Sequence, residues 1–162
     1  MILRGAFDII HGIEDNKGNK TMRLWPLCII DQLPRQQLLG QHRECCALRG
    51  KGWGRKHSTV DYVFKHKYFW LFAYHKRIID ELVRRGYKFT IDWGVSDYRG
   101  KQIGDEHTAF TSWNHKDIEY LKRDKNVYPE HDEKYLDECI ENLARKGVSI
   151  DREKAIRRMM AA

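Results

Sequence analysis

Apolar positions recur at helical spacing in three long stretches of this chain, each bounded by residues that start or stop helices. Proline suits the first turn of a helix and glycine the position just past its end, so PRQQLLGQHRECCALR reads as a first helix from Pro34 or Arg35 to Gly50. Leu38, Leu39, Cys45, Cys46 and His42 form its inward side, while Gln36, Gly40, Arg43 and Ala47 share another side, with Glu44 adjoining it. A glycine inside a helix costs about 1 kcal/mol relative to alanine, so Gly40 points either to close approach by another backbone or a ligand or, equally, to a tolerated imperfection. Ser58 or Thr59 can cap a second helix that ends near Arg85 before Gly86, with Phe64, Tyr68, Leu71, His75, Ile78 and Leu82 on one stripe. The period is lost over residues 88–115, which are rich in Gly and Asp and read as irregular. A short helix is expected over Lys116 to Arg123. A third principal helix follows from about Asp132 to Lys146, with Tyr135, Leu136, Cys139, Ile140 and Leu143 inward. Ser149 can cap a final short helix, DREKAIRRMM. No segment alternates convincingly as a strand, so the expected fold is mainly α: a small single-domain bundle of three principal helices with long irregular connections.

Composition narrows the class. The chain has 162 residues, 41% hydrophobic, enough for one core and too apolar for wholesale disorder. No window approaches the ~18 apolar residues of a membrane span, and the N-terminus carries charges where a signal peptide needs an apolar centre, so a cytoplasmic protein is expected. Cys28, Cys45, Cys46 and Cys139 lack the spacing of a disulfide framework and read as reduced core residues.

The net charge of +7 is uneven. In residues 1–21, Arg4, Lys17 and Lys20 balance Asp8, Glu14 and Asp15. The codons for Lys17-Gly18 must contain AGG, and A-rich codons for Asn19, Lys20 and Thr21 then precede Met22, a pattern like a ribosome-binding site ahead of a start codon. Residues 1–21 are therefore expected to be a disordered extension or a mis-assigned upstream segment, with residues 22–162 forming a single all-α domain. The basic charge is densest where Arg43, Arg49, Lys51, Arg55, Lys56, Lys65 and Lys67 face only Glu44 and Asp61. Basic residues interleaved with glycines, Trp53 and His57 suit a phosphate backbone with a stacked or displaced base. Taken alone, such a run is as often a solvated loop.

Other chemistries fit less well. His42, Cys45, Cys46, His57 and His66 are residues that zinc selects, but they lack paired ligand spacing, and no metal is expected. Neither a G-x-S-x-G motif nor a Walker-type glycine loop is present.

Met22-Arg23, Gln36, the Arg43-Glu44 pair, the basic loop and the aromatic-rich second helix ending in Arg85-Gly86-Tyr87 together resemble the small all-α pyrimidine-dimer DNA glycosylase/AP lyase family. A fainter echo is Tyr98-Arg99-Gly100. Three departures are the bulky Arg23 after Met22, which would leave the methionine in place where the family usually has a small first residue, the longer spacing from Arg23 to Glu44, and Ala47 in place of an arginine. The resemblance implies an enzyme that displaces a nucleotide from damaged duplex DNA. It attacks C1′ with the α-amine of its first residue and cleaves the strand by β-elimination, without a cofactor. Carried onto this sequence, Met22 would supply the amine if it is the true start. Glu44 would be the catalytic carboxylate, Arg23 and Arg43 would hold phosphates, and Gln36 would lie near the lesion. Arg49, Lys51, Trp53, Arg55, Lys56 and His57 complete the expected DNA-binding set. Neither a protein partner nor a membrane is implied, and a monomer is expected. An α-amine, with a pKa of about 7.7–8.0, is partly neutral at pH 7 and so is a competent nucleophile. A chain that began at Met1 would have no amine at residue 22. Two alternatives remain open: a non-catalytic nucleic-acid-binding module, and a metal-dependent nuclease with His42 and Glu44 as ligands.

Overall fold

The computed structural model describes residues 13–14, 20–56, 59–88, 91–106, 114–121 and 126–161. Five α-helices occur among them: α1 (Arg35–Arg49), α2 (Tyr68–Arg84), α3 (His115–Leu121), α4 (Glu133–Arg145) and α5 (Arg152–Met160). The mainly α class is as the periodicity indicated. Within residues 1–21 the described part is a two-residue antiparallel pairing, Ile13 opposite Thr21 and Glu14 opposite Lys20. The expectation for the rest of that segment lies outside the described residues.

Helix α1 starts after Pro34 and stops at Gly50, whose N–H bonds to Cys46 O. Helix α2 begins later than its sequence suggests, because the Thr59 hydroxyl donates to Met22 O and is not available as a cap. The chain instead makes a 3-10 turn over Asp61–Lys65 and stays extended at His66 before α2 starts. His66 stacks on Trp70 with ring centroids 4.4 Å apart and bonds to Glu130 at 2.7 Å, which holds that break open. Asp132 caps α4 by accepting from Tyr135 N. Asp151, not Ser149, caps α5, and Gln32 grips its backbone through two hydrogen bonds that dock α5 on the 3-10 turn at Leu27–Gln32.

Helix α1 packs along α2, and the buried apolar side chains form one cluster running from Met22 to Ala155. Cys28, Cys45 and Cys139 are buried in it; all four cysteines, including half-buried Cys46, are free. No helix among the described residues is long and apolar enough to cross a membrane.

Candidate active site

The leading segment Met22–Trp25 lies across the inward face of α1, held by its own backbone. Its four successive carbonyls are each taken by a side chain from a different part of the chain. Thr59 donates to Met22 O, Gln41 Nε2 to Arg23 O at 3.1 Å, the Tyr135 hydroxyl to Leu24 O at 2.7 Å and the Tyr74 hydroxyl to Trp25 O at 2.5 Å. Buried backbone acceptors must find partners, and these four fix the path of the segment.

Gln41 is the centre of this clamp. Fully buried, it also accepts from Trp25 N at 2.6 Å and donates to Glu44 Oε2 at 2.9 Å, one turn along α1. The Arg23 backbone N–H donates to the Glu44 carboxyl as well. Burial pushes the Glu44 pKa up to about 8, against the opposing pull of Arg23 N–H, Lys146, Gln41 and Arg43. Lys146, at the end of α4, is pulled down to about 8 by burial and by Arg23, with Glu44 acting the other way. Opposite displacements of an acid and a base beside one backbone segment are what proton-transfer chemistry uses.

Arg23 is half-buried, its guanidinium 5.6 Å from the Tyr135 ring centroid, with a long contact of 3.8 Å to Cys139 Sγ. Its Nε is buried without a hydrogen-bond partner among the described residues.

The other predicted residues separate. Gln36 and Arg43 are exposed on α1, and a Cβ built at Gly40 meets only the Arg43 guanidinium, at 3.9 Å. No protein backbone therefore approaches Gly40 among the described residues. Lys51, Arg55 and Lys56 are exposed on the loop after α1. That loop folds back on the helix end so closely that a Cβ at Gly52 would lie 2.7 Å from Ala47 O, and Gly54 has φ 78°. Trp53 is half-buried, edge-on to Phe64 and Tyr68 at centroid distances of 5.0 and 5.2 Å. His57 lies outside the described residues.

Arg49, expected among the DNA-binding residues at the end of the first helix, lies inside the protein. It is wholly buried, donating to the Tyr68 hydroxyl and to the carbonyls of Trp93, Val95 and Tyr98 at 2.8 to 3.0 Å. Phe72 and Trp93 lie against its guanidinium. It is the internal anchor of residues 93–98.

His42, Cys46 and His75 present ligand atoms within 4.8 Å of one another. Protonation argues for a hydrogen-bonded chain instead of a metal centre. Arg49 Nη1 lies 3.0 Å from His75 Nδ1 and can only donate, so the His75 proton sits on Nε2, which is 2.8 Å from His42 Nδ1. Both His75 nitrogens are thereby committed. Burial, with Arg43 and Arg49 nearby, holds His42 neutral down to about 4, and burial beside Arg49 keeps His75 well below its ordinary value. Glu44 takes no part in this cluster, so His42 and Glu44 do not share a ligand set among the described residues. His66 is engaged with Trp70 and Glu130, and Cys45 is in the core, so neither joins a metal set here.

Residues 22–95 match the pyrimidine dimer DNA glycosylase family. The match supports a pyrimidine dimer DNA glycosylase function in broad terms, with damaged DNA as the substrate. It takes in the leading segment, α1, the basic loop, α2 and Arg49 with its Trp93 and Val95 acceptors. Tyr135 and Lys146, which complete the surroundings of Arg23 and Glu44, lie beyond it. No curated protein and no solved structure matched the chain.

Gln41, Tyr74 and Lys146 are the site residues that sequence reasoning missed. Gln41 had a signal, a polar side chain three residues before Glu44 on the side of α1 that carries Leu38, Cys45 and Leu48.

Proposed function

We propose that this chain is a DNA-repair N-glycosylase with AP lyase activity, acting on pyrimidine dimers or abasic sites through an amine Schiff base. The observation that carries the reading is the clamp on residues 22–25, which sets the backbone of Met22-Arg23 directly over the Glu44 carboxyl. A chain beginning at Met22 would present its α-amine next to that carboxyl. The neutral amine adds its lone pair to C1′ of a displaced nucleotide, and the glycosidic bond breaks with its electrons leaving on the base. Loss of an amine proton and opening of the sugar ring onto a protonated O4′ give an iminium. Glu44 stabilises the positive charge and takes the C2′ proton, and the electrons released expel the 3′ phosphate.

Arg23 and Arg43 are assigned to phosphates flanking the lesion, with Gln36 near it. Lys51, Arg55 and Lys56 are assigned to the backbone further along, with Trp53 beside them. Arg49 drops out of the contact set because its donors are spent inside the protein. Displacing a nucleotide costs a few kcal/mol, less at a damaged step, which favours lesions over intact duplex.

The test is borohydride trapping on abasic and dimer-containing duplexes. The chain 22–162 should form a covalent adduct whose peptide map places it on the nitrogen of Met22. In the chain 1–162 that nitrogen is an amide and should not trap. Binding without turnover by both chains would favour the alternative of a nucleic-acid-binding module.

A further inference from the structure

A cleft separate from the clamp lies where the 3-10 turn Asp61–Lys65 and the start of α2 meet α3. Lys65, His66, Lys67 and Trp70 line one side of it, and Lys116 and Asp117 the other. It holds about 320 Å³ and is open to solvent. All three lysines are exposed. The ammonium groups of Lys65 and Lys116 make no ion pair among the described residues, and Lys67 approaches Asp117 Oδ1 only to 3.5 Å. Asp117 is buried, and its other oxygen is taken by Asn114 N–H at 2.8 Å, so this carboxylate is committed to the start of α3. Glu130, the other acid beside the cleft, is held by His66 at 2.7 Å. Three ammonium groups converging on one opening repel one another, and a cleft lined by one sign of charge concentrates anions.

Two sets of contacts indicate which anion. Trp53 lies edge-on to Phe64 and Tyr68, the residues on either side of Lys65–Lys67, so the loop that carries Lys51, Arg55 and Lys56 adjoins the cleft. On the other side, four ring contacts of 4.4 to 5.6 Å lead from Trp70 through His66, Tyr128 and His131 to Tyr135, over which the Arg23 guanidinium sits. That path is no longer than about six 3.4 Å steps of a DNA strand. Sites for small molecules are enclosed and bury most of their ligand, whereas an open cleft at the edge of a basic tract suits one group of an extended polyanion. We propose that this cleft binds a single backbone phosphate of the duplex, several nucleotides from the lesion, with Lys65, Lys67 and Lys116 sharing it and the stacked His66 and Trp70 rings as its apolar wall. The proposal rests on the reading that the chain acts on damaged duplex DNA, and it extends the DNA footprint to α3, beyond the matched residues 22–95.

The experiment measures the salt dependence of binding to a duplex with a non-cleavable abasic analogue, in whichever of the chains 1–162 and 22–162 binds more tightly. Because one phosphate is shared, Lys65→Gln/Lys67→Gln/Lys116→Gln should flatten the slope of log affinity against log salt by about 0.9, the value of one duplex contact. Arginine at the same three positions should keep the parent slope. Lys65→Gln/Lys116→Gln, which spares the Lys67–Asp117 contact, should fold like the parent and weaken binding several-fold at fixed salt, and parent affinity in that variant overturns the proposal. An unchanged slope in the triple glutamine variant overturns it too. So does a flattening of about 2.7, which would mean three independent phosphate contacts and no shared site. Inorganic phosphate that shifts the resonances of these lysines at micromolar concentration would make this a site for a free anion and would also overturn it. A parent without affinity for duplex DNA sinks the DNA-repair reading and this proposal together. A parent that binds and is trapped on abasic duplex, with the triple glutamine variant keeping the full slope, sinks this proposal alone.

Discussion

Gln41 Nε2 donates to Glu44 Oε2 at 2.9 Å while the same amide group closes on both sides of the Arg23-Trp25 backbone. One side chain therefore orients the carboxylate and holds the leading segment, so the two cannot drift apart. A glutamate merely paired on a helix surface would have neither the burial nor this partner.

Replacing Gln41 by Leu keeps the volume but orphans Trp25 N–H and Arg23 O inside the protein. Each orphaned buried group costs about 1–3 kcal/mol, so urea unfolding should show a loss of about 2–5 kcal/mol. A loss well under 1 kcal/mol would mean that water repairs the gap and that the clamp does not depend on this residue.

Glu44→Gln should lower cleavage by orders of magnitude while leaving DNA affinity nearly unchanged, and it should alter stability in a pH-dependent way. The folded carboxyl titrates near 8 against an ordinary 4.5, so the folded state keeps a proton that the unfolded state has released. That contribution is complete below the lower value and is lost as pH rises through the upper one. The variant should therefore match or trail the parent in acid and be the more stable protein above pH 8. Parallel stability profiles would refute the raised ionisation, and full activity would remove Glu44 from the mechanism.

Arg49→Lys preserves a positive charge but replaces a planar fork with one compact ammonium, which cannot serve the Tyr68 hydroxyl, His75 and three carbonyls together. Hydrogen exchange should accelerate over residues 93–99, with a stability loss of about 2–4 kcal/mol. The salt dependence of DNA binding should stay as in the parent, because Arg49 reaches no phosphate.

Exposed Lys51, Arg55 and Lys56 carry the contrary expectation. Each duplex phosphate contact contributes about −0.9 to the slope of log affinity against log salt. Alanine at all three should flatten the slope by as many as three such contacts and leave thermal stability nearly intact. An unchanged slope would place the DNA surface elsewhere.

What was legible in the sequence was what local rules decide. Pro34 and Gly50 bound α1 because one fits a first turn and the other a stop, and the helical stripe of α2 was visible although its first residue was not. Thr59 looked like a cap because a hydroxyl before an apolar run usually is one; a carbonyl 37 residues away claimed it. Arg49 looked solvated because it ends a helix beside a basic loop, and only residues 93–98, folding around it, make its place internal. Glu44 was found through resemblance, whereas Lys146 left no local trace, since its position depends on how α4 docks.

The carbonyl of Leu24 is held by Tyr135, 111 residues further along the chain. Contacts at that separation close only when nearly all of the protein has been made. A partly synthesised chain can build α1 and α2 and display its basic loop, yet it leaves the leading segment tethered at three of its four carbonyls. Finishing the fold and completing the clamp become the same event, so an incomplete or truncated copy would hold Met22–Trp25 without the Tyr135 contact.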